Sequence, residues 1–191
     1  NCSVQESLDF FGLQAHVPTI LIVGGSLGAR TINHSVAANI QTIAKAGVQV
    51  IWQTGKTYYE EAKRIAQSYP NIKVFDFIKQ MDYAYTAATI IISRAGAGTI
   101  SELCIVGKPC VFVPSPNVTE DHQTKNAQAL VAKQAAVMIP DSEAIQKLFD
   151  VTLALLNNTQ KMNELAAQIK QLAIPNAAEK IVDEILKIVT K

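Results

Sequence analysis

A glycine turn in the middle of the chain has the residue types that bind an anion. The segment 93–102, SRAGAGTISE, follows the β-branched run TIII at 89–92, which predicts a buried parallel strand. Apolar spacing from Thr99 to Val106 predicts a helix after the turn. Gly96 and Gly98 have no Cβ, so a ligand can approach the backbone there. The free N–H groups of the helix favour an anion, most commonly a diphosphate.

Glu102 lies one helical turn after Thr99 and has two interpretations. Its carboxylate is too close to the predicted phosphate site to neutralise charge there, and is better placed to accept hydrogen bonds from sugar hydroxyls. Alternatively, residues 99–102 are only a capping box, in which Glu102 bonds back to the start of the helix. These four residues do not decide between the two.

A second glycine turn, GGSLGA at 24–29, follows the all-apolar strand pattern of 19–23. It resembles a dinucleotide-binding fingerprint, but Ser26 occupies the position of the middle glycine. The next predicted strand ends Trp52-Gln53-Thr54, without an acidic residue for a ribose diol. Both departures argue against a nicotinamide or flavin enzyme. The turn still presents N–H groups and the Ser26 hydroxyl to an anion, or else it is a tight turn without a ligand.

A third polar loop, NVTEDHQTKN at 117–126, leads into another predicted helix. His122, Gln123 and Asn126 lie within one helical turn, so they can present donors and acceptors to a polyhydroxylated ligand. Polar residues at a helix start are commonly caps, so Asp121 alone indicates little. The sequence has no metal-ligand spacing and no nucleophile motif. We therefore expect neither a metal nor a covalent intermediate.

The composition indicates a folded domain of nearly neutral charge. Hydrophobic residues make up 49% of the 191 residues and charged residues 17%, which favours a well-buried core over disorder. The net charge is +1, and without a basic block this argues against a nucleic-acid partner. Cys2, Cys104 and Cys110 show no C-x-x-C spacing. Two of them lie in apolar stretches, which is typical of small buried side chains in a reducing cytosol.

The ends of the sequence suggest a piece of a longer protein. No apolar run approaches the roughly 18 residues of a membrane span, and no signal-peptide pattern is present. The chain begins at Asn1 without an initiator methionine. We expect a fragment cut at a domain boundary, with a further domain upstream.

Strand and helix patterns alternate along most of the chain. Strands are predicted at 19–23, 48–52, 72–75, 89–92, 110–113 and 136–139, and helices between them at 29–44, 57–68, 81–87, 99–106 and 123–133. Residues 6–11 predict a helical turn and 57–60 a capping box. The alternation predicts one α/β domain, a Rossmann-like doubly wound parallel sheet of about six strands. Ligands bind at the carboxyl ends of such strands, where all three loops lie.

From residue 142 onward the pattern is helical. Helices are predicted at 143–156, 160–172 and 177–189. We expect this helical tail, 142–191, to pack on the sheet edge and its last helix to reach the upstream domain.

Together the loops resemble a known protein family. The matching segments are Gly24 to Arg30 with Asn33, Phe77 and Ile78 with Met81, Ser93 to Glu102, and Asp121 to Ala127. In this order and spacing they are similar to the carboxy-terminal half of the MurG family. That family comprises the peptidoglycan glycosyltransferases of family 28, which add N-acetylglucosamine (GlcNAc) to lipid I. The similarity extends over nearly the whole chain, including the break at 174–177 before the last helix.

The resemblance implies a GT-B glycosyltransferase, in which two Rossmann-like domains face each other across a cleft. Residues 1–191 would be the domain that binds the donor, UDP-GlcNAc. The implied reaction is an inverting transfer of GlcNAc to lipid I, giving lipid II, without a metal or cofactor. The base and the lipid I site would belong to the amino-terminal domain, so no catalytic residue is expected in this chain. Alone it should bind donor without turnover.

The resemblance also implies where the protein acts. The full-length enzyme would be cytoplasmic and peripheral on the inner face of the bacterial plasma membrane, attached through the absent domain. It would serve cell-wall synthesis, cell shape and division.

The resemblance assigns the contacts to UDP. The backbone of Ile78 would read the uracil edge, and Glu102 would hold the ribose hydroxyls. The diphosphate would be held by Ser26 and the amides of Ala97, Gly98 and Thr99.

The GlcNAc contacts implied are those of His122, Gln123 and Asn126, although other members have Gln where His122 stands. Matching positions in the glycine loops support the site, and these are Gly24, Gly25, Gly28, Arg94 and Gly96. Arg94 has no implied role beyond orienting its loop.

Two alternatives stay open. A UDP-GlcNAc 2-epimerase-like enzyme shares the architecture but would need acidic and basic groups around the sugar, whereas the third loop offers mainly amides. A noncatalytic nucleotide-sugar binding module would need only the loops. His16 and His34 are not candidates for the base, because the first lies in the lead-in and the second on the first predicted helix, where we expect solvation or local hydrogen bonds.

Overall fold

The computed structural model describes residues 2–189, so Asn1 and residues 190–191 of the predicted domain lie outside it. The strands are β1 (Thr19–Val23), β2 (Gln49–Gln53), β3 (Ile72–Phe75), β4 (Ile90–Ser93), β5 (Cys110–Phe112) and β6 (Val137–Met138). The helices are α1 (Val4–Phe11), α2 (Arg30–Ala38), α3 (Ile40–Lys45), α4 (Lys56–Ala66), α5 (Met81–Ala87), α6 (Ala97–Val106), α7 (His122–Ala132), α8 (Ala144–Leu156), α9 (Thr159–Gln171) and α10 (Ala177–Val189).

The six strands form one parallel sheet in the order β3-β2-β1-β4-β5-β6. Leu21 in β1 is aligned with Ile51 in β2 and with Ile91 in β4. Because β4 pairs with β1 and not with β3, the direction in which the strands are added reverses between β1 and β4. The predicted Rossmann-like doubly wound α/β fold is confirmed.

Helices cover both faces of the sheet. Leu21 points into a cluster that contains Leu103 of α6, whereas Ile22 points into a cluster that contains Ile32 of α2. Strands buried on both faces need apolar residues at every position, which explains the unbroken runs in the sequence. Consequently α2 and α6 lie on opposite faces.

The predicted helix 29–44 is wrong in one respect, because it is divided at Asn39. The Asn39 side-chain Nδ2 donates to Ser35 O and to Ile145 O, both at 2.9 Å. The backbone of Asn39 leaves helical geometry, with φ −108° and ψ 12°. The side-chain amide therefore ends α2 and ties it to α8.

The predicted capping box at 57–60 is also wrong. Helix α4 begins at Lys56 after Gly55, whose φ is 75°, and no side chain caps it. A Cβ on Gly55 would lie 2.2 Å from Leu27 O. The close approach of the turn after β1 therefore fixes where α4 starts.

A capping box is present at α1 instead. Ser3 and Glu6 cap each other's backbone N–H groups, so the predicted turn at 6–11 is a longer helix that begins at Val4. At α6 the N-cap is Gly96 and no side chain caps the helix. The capping-box interpretation of residues 99–102 is therefore excluded.

The last three helices occur where the sequence predicts them. Helix α8 places Leu148 and Phe149 in the cluster with Ile22, so it packs on a face of the sheet and not on its edge as predicted. Helix α10 exposes apolar side chains, which include Ile181 and Ile188. Among the described residues, no helix is both long and apolar enough to cross a membrane.

The cysteines are free thiols. Cys104 and Cys110 are buried, as predicted, and Cys2 is half-buried. Burial raises the pKa of the Cys104 and Cys110 thiols. Both are therefore protonated packing residues at neutral pH.

Candidate functional site

Two helix N-termini open at the reversal point between β1 and β4. The first intrahelical donors are Asn33 N in α2, to Ala29 O, and Ile100 N in α6, to Gly96 O. The N–H groups of residues 30–32 and 97–99 therefore have no acceptor within their helices. Neither helix start carries a side-chain cap. Both positive helix ends are free to bind an anion.

A cleft of about 710 Å³ lies in front of these helix starts. Its walls come from both helices and from the loop after β5, and include Gly25, Arg30, Thr31, Gly96, Thr99 and Gln123. A smaller cavity of about 160 Å³ is lined by Ser26, Gln53, Ile78, Tyr85 and Glu102. Gly25 and Thr99 line both spaces, so the two adjoin. An extended ligand can occupy both at once.

Glycine is required in the two turns for different reasons. A Cβ on Gly28, where φ is 78°, would lie 1.9 Å from Thr54 O, and one on Gly24 would lie 2.3 Å from Ala29 N. Packing of the protein therefore requires these two glycines. A Cβ on Gly98 would meet nothing within 4 Å, and one on Gly96 only Thr99 Oγ1 at 3.8 Å. Their missing Cβ atoms leave open space beside the N–H groups of α6.

Ser26 lies in a tight turn beside the small cavity. Gly28 N donates to Gly25 O at 3.0 Å, which closes a four-residue turn with Ser26 and Leu27 at its centre. The Ser26 side chain is exposed and lines the small cavity. Its hydroxyl is therefore available to a ligand.

Ile78 is buried, and its N–H donates to Gln53 Oε1 at 3.1 Å. The same Gln53 side chain donates through Nε2 to Gly25 O at 3.0 Å. Only the carbonyl of Ile78 is left to read a base. From the sequence, Gln53 indicated only the absence of an acidic residue, and the role of its amide was not predicted. Its position at the carboxyl end of a strand was the available signal.

Glu102 faces the small cavity and is exposed. The pKa of Tyr85 is raised, first by burial and then by the charge and hydrogen bond of the Glu102 carboxylate. Tyr85 is thus a neutral side chain beside Glu102. Tyr85 was not predicted from the sequence, although Met81 and Tyr85, four residues apart on α5, line the same cavity.

Arg94 joins the loops beneath the cleft. Its Nη1 donates to Val113 O at 2.9 Å, to Pro114 O at 3.0 Å and to Asp141 Oδ1 at 2.5 Å. Asp141 Oδ2 in turn accepts from Thr31 Oγ1 at 2.8 Å. The guanidinium therefore holds the ends of β4 and β5 together, and Asp141 neutralises its charge.

The third loop binds the glycine turn through two side-chain amides. Gln123 Oε1 accepts from Ala95 N at 3.2 Å and from Ser115 N at 2.9 Å. Asn126 Nδ2 donates to Ala95 O at 3.1 Å. Gln123 lines the large cleft, whereas Asn126 lines a separate apolar groove beside α6 and α7. Gln123 Nε2 and Asn126 Oδ1 are the amide atoms left for a ligand.

His34 lines the large cleft, and His122 lines neither cavity. His122 is exposed, and its Nδ1 is 2.8 Å from Thr119 O, which leaves Nε2 for a ligand. His34 lines the large cleft, with its ring centroid 5.6 Å from that of Tyr58. His34 was not predicted as a site residue, because solvation or local hydrogen bonding was expected at its position on a helix. Within residues 2–189, no group of three His, Cys, Asp or Glu side chains could hold a metal.

Known glycosyltransferases contain a domain similar to this chain. The model of the glycosyltransferase family 28 C-terminal domain matches residues 19–181. A protein of Porphyromonas gingivalis, named UDP-N-acetylglucosamine--N-acetylmuramyl-(pentapeptide) pyrophosphoryl-undecaprenol N-acetylglucosamine transferase, is 54% identical over 98% of this chain and 50% of its own length. The crystal structure of MurG from Acinetobacter baumannii is 35% identical, with a TM-score of 0.79 over 97% of this chain and 53% of that one.

A likeness to UDP-GlcNAc 2-epimerase from Neisseria meningitidis is weaker. It has 18% identity and a TM-score of 0.64, covering 96% of this chain and 47% of the epimerase, and shows a shared fold only. The chain spans about half the length of the curated relatives that it matches. The family model covers most of the chain, and the resemblance predicted from the three loops is confirmed. This chain belongs to glycosyltransferase family 28, whose C-terminal domain it carries.

Proposed function

We propose that this chain is the donor-binding domain of an inverting, metal-independent glycosyltransferase that moves GlcNAc from UDP-GlcNAc to lipid I, giving lipid II. The observation that carries the proposal is the pair of uncapped helix starts that face one cleft at the reversal point. The name of the P. gingivalis relative describes transfer of GlcNAc to a pyrophosphoryl-undecaprenol carrier, which supports the choice of substrates.

We place the uridine of the donor at the small cavity. Gln53 already accepts from the N–H of Ile78. The carbonyl of Ile78 is therefore the backbone group that can bind the base, by accepting from uracil N3–H. Glu102, which lines the same cavity, accepts from the ribose hydroxyls. The carbonyl of Ile78 has a fixed position and can only accept a hydrogen bond. The cavity therefore selects a nucleoside whose base presents an N–H donor to this carbonyl.

The diphosphate lies where the two cavities join. The N–H groups of residues 97–99 point there, and the open space at Gly96 and Gly98 lets phosphate oxygens approach them. The Ser26 hydroxyl donates from the opposite turn. GlcNAc then occupies the large cleft, where Gln123 Nε2 is proposed to contact its hydroxyls. Asn126 Oδ1 and His122 line neither cavity of the site, so their proposed contacts require the sugar to extend beyond the large cleft along α7.

This arrangement suits departure of UDP. When the bond from the sugar to the phosphate breaks, negative charge grows on the diphosphate. The helix dipole and N–H groups of α6 stabilise that charge without needing to reorganise. Arg94 cannot serve as a free cation because Asp141 pairs with it. The protein therefore offsets the charge with oriented dipoles in place of a metal ion.

The acceptor half of the reaction requires groups outside this chain. Inverting transfer needs a base that takes the proton of the acceptor hydroxyl. We assign that base, the lipid I site and the peripheral contact with the cytoplasmic face of the membrane to the other half of the protein. This chain alone would bind donor without turnover. A noncatalytic sugar-nucleotide binding module would bind the donor in the same way, but it would show no transfer even when joined to the other half of the protein.

Binding without metal is the first expected result. The chain should bind UDP and UDP-GlcNAc with equal affinity in buffer with EDTA and in buffer with magnesium, because N–H groups supply the anion site. Titration calorimetry measures both affinities. GlcNAc transfer to lipid I should appear only when the chain is joined to an upstream half of a relative. Binding that requires magnesium, or a joined protein that binds donor without transfer, would contradict the proposal.

Gly98→Ala separates ligand contact from folding. Alanine fits the helical backbone and the open space at this position, so the free energy of unfolding should stay the same or rise by roughly 0.5–1 kcal/mol. The new Cβ crowds the diphosphate, and UDP affinity should fall about tenfold while uridine affinity is unchanged. The control is Gly47→Ala, where φ is 68° in open space, which should lower stability without changing affinity. Unchanged UDP affinity in Gly98→Ala would remove α6 from the diphosphate site.

Glu102→Gln tests the ribose contact. The substitution keeps the shape but removes the charge-assisted part of the hydrogen bonds, so uridine and UDP should each lose about 1 to 2 kcal/mol of binding free energy. Melting temperature should be unchanged because the side chain does not cap α6. Glu60→Gln, an exposed change on α4, is the matched control. Equal affinities in the Glu102 and Glu60 variants would show that Glu102 does not touch the ribose.

Asn126→Ala tests the sugar contact. UDP-GlcNAc should lose roughly 1 kcal/mol more binding free energy than UDP, and its preference over UDP-GalNAc should narrow. Some loss of UDP affinity is expected because Asn126 also holds Ala95. Gln128→Ala, exposed on the same helix, controls for helix stability. If UDP and UDP-GlcNAc weaken by the same factor, Asn126 supports the glycine turn only.

A further inference from the structure

Gln53 is a buried amide that joins two loops of the candidate site. It ends β2 and is 3% exposed. Its Oε1 accepts from Ile78 N at 3.1 Å, and its Nε2 donates to Gly25 O at 3.0 Å. One side chain therefore contacts the residue proposed to read the base and the turn proposed to bind the diphosphate.

The orientation of this amide is fixed by its partners. A backbone N–H can only donate and a carbonyl can only accept, so the Gln53 oxygen must face Ile78 and its nitrogen must face Gly25. Gly25 O also accepts from Gly28 N, the bond that closes the turn around Ser26. Displacing Ile78 therefore moves the acceptor on which the Ser26 turn is built.

We infer that Gln53 is a positioning residue that sets the distance between the base-reading backbone and the diphosphate-binding turn. This inference rests on the proposed donor site and adds a coupling between its two ends. A donor that spans both cavities needs both loops in place together. A turn held in advance costs less conformational entropy when the diphosphate binds.

The chain offers a matched control in Gln49, at the opposite end of the same strand. Gln49 is also buried, at 4% exposure. Its amide bonds Gln14 N at 3.0 Å and Gln14 O at 2.8 Å, and so also joins two segments. It lines neither of the two cavities of the candidate site. Loss of either amide should lower the stability of the fold. Only loss of the Gln53 amide should change the gain in affinity that the diphosphate of UDP gives over uridine.

The experiment compares Gln53→Met and Gln49→Met in the whole chain. Calorimetry gives the dissociation constants of uridine and UDP, and their ratio measures the gain from the diphosphate. We expect both variants to melt at lower temperature than the unsubstituted chain. The ratio should fall about tenfold in Gln53→Met, the scale of one lost hydrogen bond, and should be unchanged in Gln49→Met. An unchanged ratio in Gln53→Met, or an equal fall in both variants, would overturn the inference.

A second measurement does not depend on a folded variant. Inorganic pyrophosphate lacks the base proposed to contact Ile78, but if Gln53 couples the loops it should slow hydrogen exchange of the Ile78 amide severalfold in the unsubstituted chain. Unchanged exchange at saturating pyrophosphate would overturn the coupling. Failure of the proposed donor site and failure of the proposed role of Gln53 give different results. An unsubstituted chain that does not bind UDP would refute the proposed donor site, whereas one that binds UDP with an unchanged ratio in Gln53→Met would refute only the role of Gln53.

Discussion

The pairing of β4 with β1 is the constraint on which the rest of the structure depends. It sends α2 and α6 to opposite faces of the sheet, because each helix must cover apolar side chains that alternate along the strands. A crevice therefore opens between two adjacent helix starts whose N–H groups have no intrahelical acceptor. Both cavities of the candidate site border this crevice. The location of the site follows from strand order before any polar residue is considered.

Side-chain amides then give the surrounding loops a defined shape. Loops lack the repeating backbone ladder of a sheet, so their N–H and carbonyl groups need other partners. Gln53 supplies them between the turn after β1 and Ile78, and Gln123 and Asn126 supply them to Ala95 before α6. Arg94 adds an ion pair with Asp141 beneath the cleft. Because these partners are fixed in advance, the ligand-facing groups require little reordering on binding.

The local patterns of the sequence were sufficient for the architecture. Runs rich in apolar residues predicted all six strands, since a strand buried on both faces has little place for polar side chains, although Gln49 interrupts β2 and Lys73 interrupts β3. Helical spacing predicted the helices between them. The glycine turns after β1 and β4 were recognised from composition alone. Their common location followed from the rule that the carboxyl ends of parallel strands share one edge. The family was also recognisable, because its motifs lie within these loops.

Contacts between residues far apart in sequence were decided by the tertiary structure. Asn39 divides a helix because Ile145 offers an acceptor, and α4 starts at Lys56 because Gly55 packs against Leu27. Gln53, Tyr85 and Asp141 were not identified as site residues, since a single glutamine, tyrosine or aspartate has no periodic signal. The sequence by itself determined which segments become strands, helices and ligand-facing turns, because those depend on neighbours a few residues away. The partner of each polar side chain depends on which segments the folded sheet brings into contact, and only the tertiary structure decides that.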